Sequence, residues 1–378
     1  MPKDINGNTR TLLFPANAAP TLYPAPGVVN DSLWDKNWKN LSPRVGLAYS
    51  LTPRTVIRSG YGIFYFGGQF DNINILQLNP PAGGSITVTN PATSPVATIE
   101  TPVPASLFPS NPIFNAVSLP PDRRHPDTYV QNWNLQVGHE FGGGNLLEVT
   151  YVGSKGTHVD TSYQNFNQPD PGPGTIQARR PYPAFGRIRM QGYGIGTSYN
   201  ALQARFERRL KAGVSATLAY TYSHLIDNGG ETTNGGGCIC QNPRDRSIER
   251  ASGLQDQRHG LVTSVVWELP FAKHMKGAGG YFLAGWALDG ILTLRSGTHF
   301  NVTQSFDGQN NDGLFERPNL VPGQVLTVPN QGPTGWFNVN AFTGSTLTYG
   351  TSPRNPLVGP GTHALNLTLR KSFQMPFA

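Results

Sequence analysis

The sequence predicts an all-β fold: an antiparallel transmembrane β-barrel, partial, with about nine membrane strands and long extracellular loops. Three observations predict it. Apolar and polar residues alternate with period two in nine separate stretches, the mark of strands with one apolar face. The stretches are roughly 8–14 residues long, close to the ~9–11 of a tilted membrane strand and longer than the ~5–6 of most soluble strands. Short and long connections alternate along the chain, as short periplasmic turns and long outer loops do in outer-membrane barrels.

Taken in order, Arg44 to Leu51 sets Val45, Leu47, Tyr49 and Leu51 against Arg44, Gly46, Ala48 and Ser50. After the turn Thr52-Pro53-Arg54, Thr55 to Phe66 sets Ile57, Tyr61, Ile63 and Tyr65 against Arg58, Gly60 and Gly62. Tyr129 to Phe141 places Trp133, Leu135 and Val137 opposite Asn132, Asn134 and Gln136. Beyond Gly142–Asn145, Leu146 to Lys155 places Leu147, Val149 and Tyr151 opposite Glu148 and Thr150. Tyr199 to Leu210 alternates Leu202, Ala204 and Phe206 with Gln203, Arg205 and Glu207. The turn Lys211–Gly213 leads to Val214–His224, with Leu218, Tyr220 and Tyr222 on one face. Arg258–Leu269, Gly285–Ser296 and His363–Phe373 complete the set. Phe66–Tyr129, Lys155–Tyr199, Leu225–Arg258 and Gly297–His363 are long loops. Pro270–Ala284 is intermediate and occupies a short-turn slot, and the apolar stretch Gly186–Met190 reads as a strand extension inside an outer loop. Residues 1–39 read as an irregular loop or remnant of an upstream barrel segment, and residues 40–378 as a partial barrel without a plug. Nine is an odd number where such barrels use even ones, so the chain reads as a piece of a larger protein.

Composition excludes other classes. Glycine and proline number 44 and 33 in 378 residues, which opposes a helix-rich enzyme because both break helices. Charged residues at 13% and aromatics at 10% oppose disorder. The net charge of +7 is scattered without a basic stripe or motif, so nucleic acid is not an expected partner. No apolar stretch reaches the ~18–20 residues of a membrane helix, which leaves a closed barrel as the permitted spanning structure.

Several matched stretches then carry a resemblance. They are Asn40-Leu-Ser-Pro-Arg-Val-Gly-Leu-Ala-Tyr49, Thr55-Val-Ile-Arg-Ser-Gly-Tyr-Gly-Ile-Phe-Tyr65, Val149-Thr-Tyr-Val-Gly-Ser-Lys-Gly-Thr-His158 and Tyr199-Asn-Ala-Leu-Gln-Ala-Arg-Phe-Glu-Arg-Arg209. They continue with Tyr220-Thr-Tyr-Ser-His224, Gly285-Trp-Ala-Leu-Asp-Gly290, Glu316-Arg-Pro-Asn-Leu320, Trp336-Phe-Asn338 and Pro353-Arg-Asn-Pro356. In this order they resemble the C-terminal barrel region of TonB-dependent outer-membrane receptors of the Oar-like type, numerous in acidobacteria. The resemblance implies a large barrel closed by an N-terminal plug, and import energised by the TonB–ExbB–ExbD complex through that plug. No plug or TonB box is visible in this sequence, so the resemblance supports part of a receptor.

Candidate sites divide into lumen and loops. Arg205, Glu207, Asp289 and Arg295 fall on the polar face by period and are the expected lumen ligand contacts. Arg123, Arg124, Arg179, Arg180, Arg244, Arg246, Arg250 and Arg258 lie in or beside the outer loops. They read as solvated charge partnered by Asp122, Asp245, Glu249 and Asp256, or else as attraction for an anionic substrate or lipopolysaccharide phosphates. Cys238 and Cys240 read as a loop disulfide or incidental pair rather than a redox or metal pair. The stretch Asp307–Gly313 fails the EF-hand spacing, because Gly308 and Asn319 fall where ligands belong. It reads as a polar turn, a looser calcium site being the minor alternative. No catalytic residue, cofactor or metal is expected. The expected work is binding and uptake of an extracellular nutrient at the cell outer membrane, with outer-membrane lipid and lipopolysaccharide as surroundings. A non-transporting structural or adhesive barrel and a secreted carbohydrate-binding β-sandwich are the alternatives.

Overall fold

The computed structural model describes residues 37–66, 114–119, 126–163, 165–183, 185–229, 240–272, 275 and 277–373. The irregular segment expected over 1–39 lies outside them up to residue 36, as do Asp122, Arg123, Arg124 and Cys238.

Nine strands form one antiparallel meander: β1 (Arg44–Thr52), β2 (Thr55–Phe66), β4 (Thr128–Glu140), β5 (Asn145–Tyr163), β6 (Phe185–Lys211), β7 (Val214–Asp227), β9 (His259–Glu268), β10 (Trp286–Arg295) and β17 (Thr362–Lys371). These are the nine stretches in which the sequence alternates. Off this path, β3 (Phe114–Leu119) pairs in parallel with β6, and β8 (Ala251–Ser252) pairs with β7. Among the described residues β1 pairs with β2 and β17 with β10, so the sheet is open at both edges. No helix among the described residues is long and apolar enough to cross a membrane.

Register explains why this sequence forms this sheet. Leu47 lies opposite Ser59, Tyr61 opposite Trp133, Leu135 opposite Tyr151 and Phe206 opposite Leu218. One face is therefore an almost unbroken apolar surface; on β17, Leu365, Leu367 and Leu369 are each about 60% exposed. Water would penalise such a surface at ~25 cal/mol per Å², whereas lipid does not. The other face carries Arg58, Gln136, Glu148, Arg205 and Asp289. A one-residue slip would exchange the faces, so the apolar pattern itself enforces the pairing.

The turns are chemically specific. Ala212 and Gly213 both have positive φ (53° and 77°) between β6 and β7. That is the two-residue hairpin geometry whose twist matches its flanking strands. Between β4 and β5, Gly142, Gly143 and Gly144 all have positive φ. The β9–β10 connection differs by holding a short helix, α2 (Gly277–Leu283).

Three strands exceed their expected lengths by several residues, β7 running on to Asp227. β5 runs to Tyr163 and β6 starts at Phe185, so Gly186–Met190 does extend a strand. At ~3.3 Å per residue, the 27 residues of β6 span roughly 90 Å, far more than a bilayer, so the loop-side half stands outside it. Among the described residues the long connections also hold secondary structure. That from β10 to β17 contains β11 (His299–Phe300), β12 (Asn319–Leu320), β13 (Thr327–Gly332), β14 (Gly335–Phe337), β15 (Phe342–Thr343) and β16 (Leu357–Val358), paired β11–β16, β12–β15 and β13–β14. The β5–β6 connection holds the single turn α1 (Ile176–Arg179).

Candidate functional site

Two polar assemblies stand out: a ladder on the polar sheet face and a cap built from the long loops.

The ladder follows from register. Arg58 lies opposite Gln136, and Glu148 opposite Arg205. Arg58 Nη1 donates to Gln136 Oε1 at 3.3 Å, and Gln136 Nε2 to Glu148 Oε1 at 3.1 Å. Arg205 bridges two carboxylates, Glu148 Oε2 at 3.1 Å and Glu207 Oε2 at 2.6 Å. Of the four lumen candidates, Arg205 and Glu207 are thus in direct contact. Asp289 lies apart and faces Arg370 Nε at 3.4 Å. Arg295 is exposed at the loop end of β10, opposite Gly260 and Thr362. Arg58, Gln136, Glu148 and Arg370 share this face by the same period-two parity that selected the four candidates.

The cap is made by residues 165–183, 240–258 and 297–361, whose side chains interlock in a buried polar core. Glu249, Gln309, Asn311 and Ser345 are wholly buried, and Arg317 and Arg354 nearly so. Gln241 Oε1 accepts from Gln309 Nε2 at 3.0 Å, Arg317 N at 3.1 Å and Gly350 N at 3.2 Å. Arg317 Nη1 meets Glu249 Oε2 at 2.6 Å. Arg354 holds the Asp227 carboxylate at the end of β7 and donates from Nε to Glu249 O at 2.8 Å. Buried polar groups need such partners, because an unpaired one costs several kcal/mol, roughly 2–7.

A second knot centres on Asp312. Its carboxylate takes Arg180 Nη2 at 2.7 Å and the Arg187 guanidinium, and Asn165 Nδ2 donates to its main-chain oxygen at 3.0 Å. Burial pushes the Asp312 carboxyl up, but the hydrogen bonds from Arg187 and Arg180 outweigh it and hold the group below its ordinary value. Within the same segment Asp307 accepts Asn311 N at 3.0 Å and Asp312 N at 3.3 Å, and Asn310 and Asp312 have positive φ. The stretch weighed for calcium thus spends its Asp312 carboxylate on two guanidiniums. Nearby, burial followed by the Asp307 carboxylate raises Glu316 to about 7. Asp256, 1% exposed, meets Arg258 Nε at 3.1 Å, His299 Nε2 at 3.4 Å and His224 Nε2 at 3.7 Å.

Among the described loop arginines Arg180 is buried, Arg179, Arg246 and Arg258 are half-buried, and Arg244 and Arg250 are exposed. Arg180 is buried against Asp312, Arg244 pairs with Asp170 at 2.7 Å, and Glu249 pairs with Arg317. Tertiary folding supplied those partners; of the expected ones, Asp256 does meet Arg258. Cys240 is disulfide-bonded.

The outer membrane beta barrel domain model matches residues 1–377. The chain belongs to the outer membrane β-barrel domain family. As a member of that family it is a protein of the outer membrane; in such barrels the apolar strand face meets lipid and the short turns lie at the periplasmic end. No curated protein matches the barrel chain in sequence. Among solved structures it is similar to the outer membrane transporter YddB from Escherichia coli, at 10% identity and a TM-score of 0.42, over 68% of this chain and 28% of that one. It is also similar to a variant of the ferric enterobactin receptor PfeA from Pseudomonas aeruginosa, at 15% identity and a TM-score of 0.37, over 88% and 40%. The FrpB iron transporter from Neisseria meningitidis overlays at 8% identity and a TM-score of 0.37, over 74% and 30%. The barrel domain thus spans well under half the length of these structures.

Proposed function

We propose that this chain is the C-terminal barrel part of an Oar-like TonB-dependent receptor, which captures an extracellular nutrient at its loop cap and passes it along the polar sheet face. The observation that carries the reading is the division of the molecule. Among the described residues the β5–β6, β7–β9 and β10–β17 connections gather at one end and lock through buried charge, while the sheet below offers lipid an apolar face and its interior a charged one. A cap held this firmly presents a preorganised surface, which lowers the entropic cost of binding. The ordered motif set supports the receptor assignment. Arg205 and Glu207 with Arg58 and Glu148, and Asp289 with Arg370, would contact ligand or plug along the lumen. Arg295 would stand at the outer mouth. The work is binding and passage, not catalysis. Energy would come from TonB–ExbB–ExbD acting on a plug supplied outside these residues.

The test is uptake in cells carrying the intact gene. A panel of labelled oligosaccharides, peptides and ferric chelates is offered to the wild type, to a strain lacking this gene and to one lacking TonB. The reading expects one class of compound to fail in both mutants. A compound that needs the gene but not TonB, or no dependence on the gene across the panel, overturns it in favour of a passive or structural barrel.

A further inference from the structure

We propose that the β9–β10 connection is a membrane-interface anchor, in which α2 and its flanks lie in the periplasmic leaflet against anionic phospholipid. The other turns at this end are tight: Pro53–Arg54, Phe141–Gly144 and Ala212–Gly213. This one runs from Leu269 to Gly285 and exposes five large apolar side chains: Phe271, Met275, Tyr281, Phe282 and Leu283, at 48–66%. A turn standing in the aqueous periplasm has no use for such a cluster, and exposed apolar patches mark contact surfaces.

The position of the helix selects lipid as the occupant. Trp286 Nε1 donates to Phe282 O at 3.1 Å, and Lys371 Nζ donates to Ala284 O. Trp286 and Lys371 are directly paired across β10 and β17, with the parity of Leu288 and Leu369. They belong to the lipid-facing side, so α2 is fastened to that side and its apolar cluster continues the belt. The Lys371 ammonium lies 5.6 Å from the Trp286 ring and 5.0 Å from the Phe373 ring, and Tyr281 lies 5.1 Å from Phe373. Aromatic rings beside a basic group are characteristic of the headgroup level, where an amphipathic side chain keeps one end wet. A cavity of about 500 Å³ between the helix and the strand ends is lined in part by Met275, Tyr281, Trp286, Lys371 and Phe373. Charge points the same way: the connection Leu269–Gly285 contains Lys273 and Lys276 and no acidic residue, and Arg370 and Lys371 offset Glu268 in the lining of the cavity. Exposed aromatic and aliphatic side chains flanked by lysines suit the membrane interface, and such binding strengthens with anionic lipid.

The test places an environment-sensitive nitrobenzoxadiazole label at Phe282→Cys, with Ala212→Cys in the β6–β7 turn as the water-exposed reference. The full chain is reconstituted in vesicles of phosphatidylcholine, with or without phosphatidylglycerol. The label at 282 is expected to be quenched by brominated lipid and shielded from iodide, more so with phosphatidylglycerol, while the label at 212 behaves oppositely. Equal shielding in both vesicle types removes the anionic preference. Iodide access at 282 matching that at 212 overturns the anchor and leaves the cluster to a periplasmic protein or a second copy. Outer membranes from expressing cells give a reading independent of reconstitution. There a bulky impermeant maleimide should modify position 212 and spare 282 until detergent is added, and equal modification overturns the proposal.

Discussion

Arg317 and Glu249 meet at 2.6 Å with side chains only 2% and 0% exposed, and they join the β7–β9 loop to the β10–β17 loop. Each is held further by neighbours: Glu249 Oε1 accepts Gln241 N at 2.9 Å, and Gln309 Nε2 approaches Arg317 O at 3.5 Å. Breaking one member of such a pair strands a charge in a dry site, at a cost of about 3–5 kcal/mol. Arg317→Met is therefore expected to release the cap. Hydrogen exchange should rise across residues 240–258 and 304–320 and stay unchanged in β1, β2 and β4. The double variant Arg317→Met with Glu249→Leu should recover much of the protection, because no lone charge remains. Equal exchange in wild type and single variant would show that the pair does not hold the loops.

Glu316 gives the cap a pH dependence of defined sign. Its Oε2 accepts from Gln304 Nε2 at 2.6 Å. Burial and then Asp307 raise it from an ordinary 4.5 to about 7. The folded cap thus binds this proton more tightly than the unfolded loop does. Its contribution to stability is complete below 4.5 and is lost as the pH rises to about 7. Exchange of residues 304–317, corrected for intrinsic rates, should quicken between about pH 5 and pH 8 in the wild type. Glu316→Gln should flatten that slope, and a slope that survives the substitution would assign it elsewhere.

Gly153 carries the Trp133 ring against its backbone on the lipid-facing side, where the two residues are opposite in register. A Cβ built on Gly153 would stand 2.1 Å from that ring. Gly153→Val is expected to cost about 1–3 kcal/mol, the usual range for overpacking. Trp133→Leu in the same chain should restore most of it. The denaturant midpoint of the lipid-reconstituted protein, followed by heat-modified mobility, reads both changes.

The Arg205–Glu148 contact at 3.1 Å separates function from folding. Arg205 is half exposed on the polar face, where a single pair contributes only about 0–1 kcal/mol. Arg205→Ala combined with Arg58→Ala should leave the folding midpoint almost unchanged and reduce uptake of whichever compound requires the gene. Loss of the folded band would place the ladder among the structural contacts instead.

Most of the sheet was legible in the sequence because strand physics is local. Side chains alternate with period two, lipid demands one apolar face, and glycines, with Ala212, supply the positive φ of the turns after β4 and β6. β2 spans Thr55–Phe66 as the alternation predicts, and the remaining eight strands lie where the pattern placed them, with β5, β6 and β7 longer. The same parity put Arg205, Glu207 and Asp289 on the polar face.

The cap was not legible, because its contacts join residues far apart in sequence. Arg317 and Arg354 stood in the stretches Glu316-Arg-Pro-Asn-Leu320 and Pro353-Arg-Asn-Pro356, which carried the resemblance and were silent about their partners. Only the tertiary structure brought Glu249 to Arg317, Asp227 to Arg354, and Arg180 and Arg187 to Asp312. Likewise the sequence marked Pro270–Ala284 as an oversized turn, and the fold alone showed which face of the sheet it joins. Period and turn chemistry act between near neighbours, so one chain of residues determined the membrane-facing sheet. Buried charge pairing acts between loops at positions that only the completed fold brings together, so the structure decided the cap.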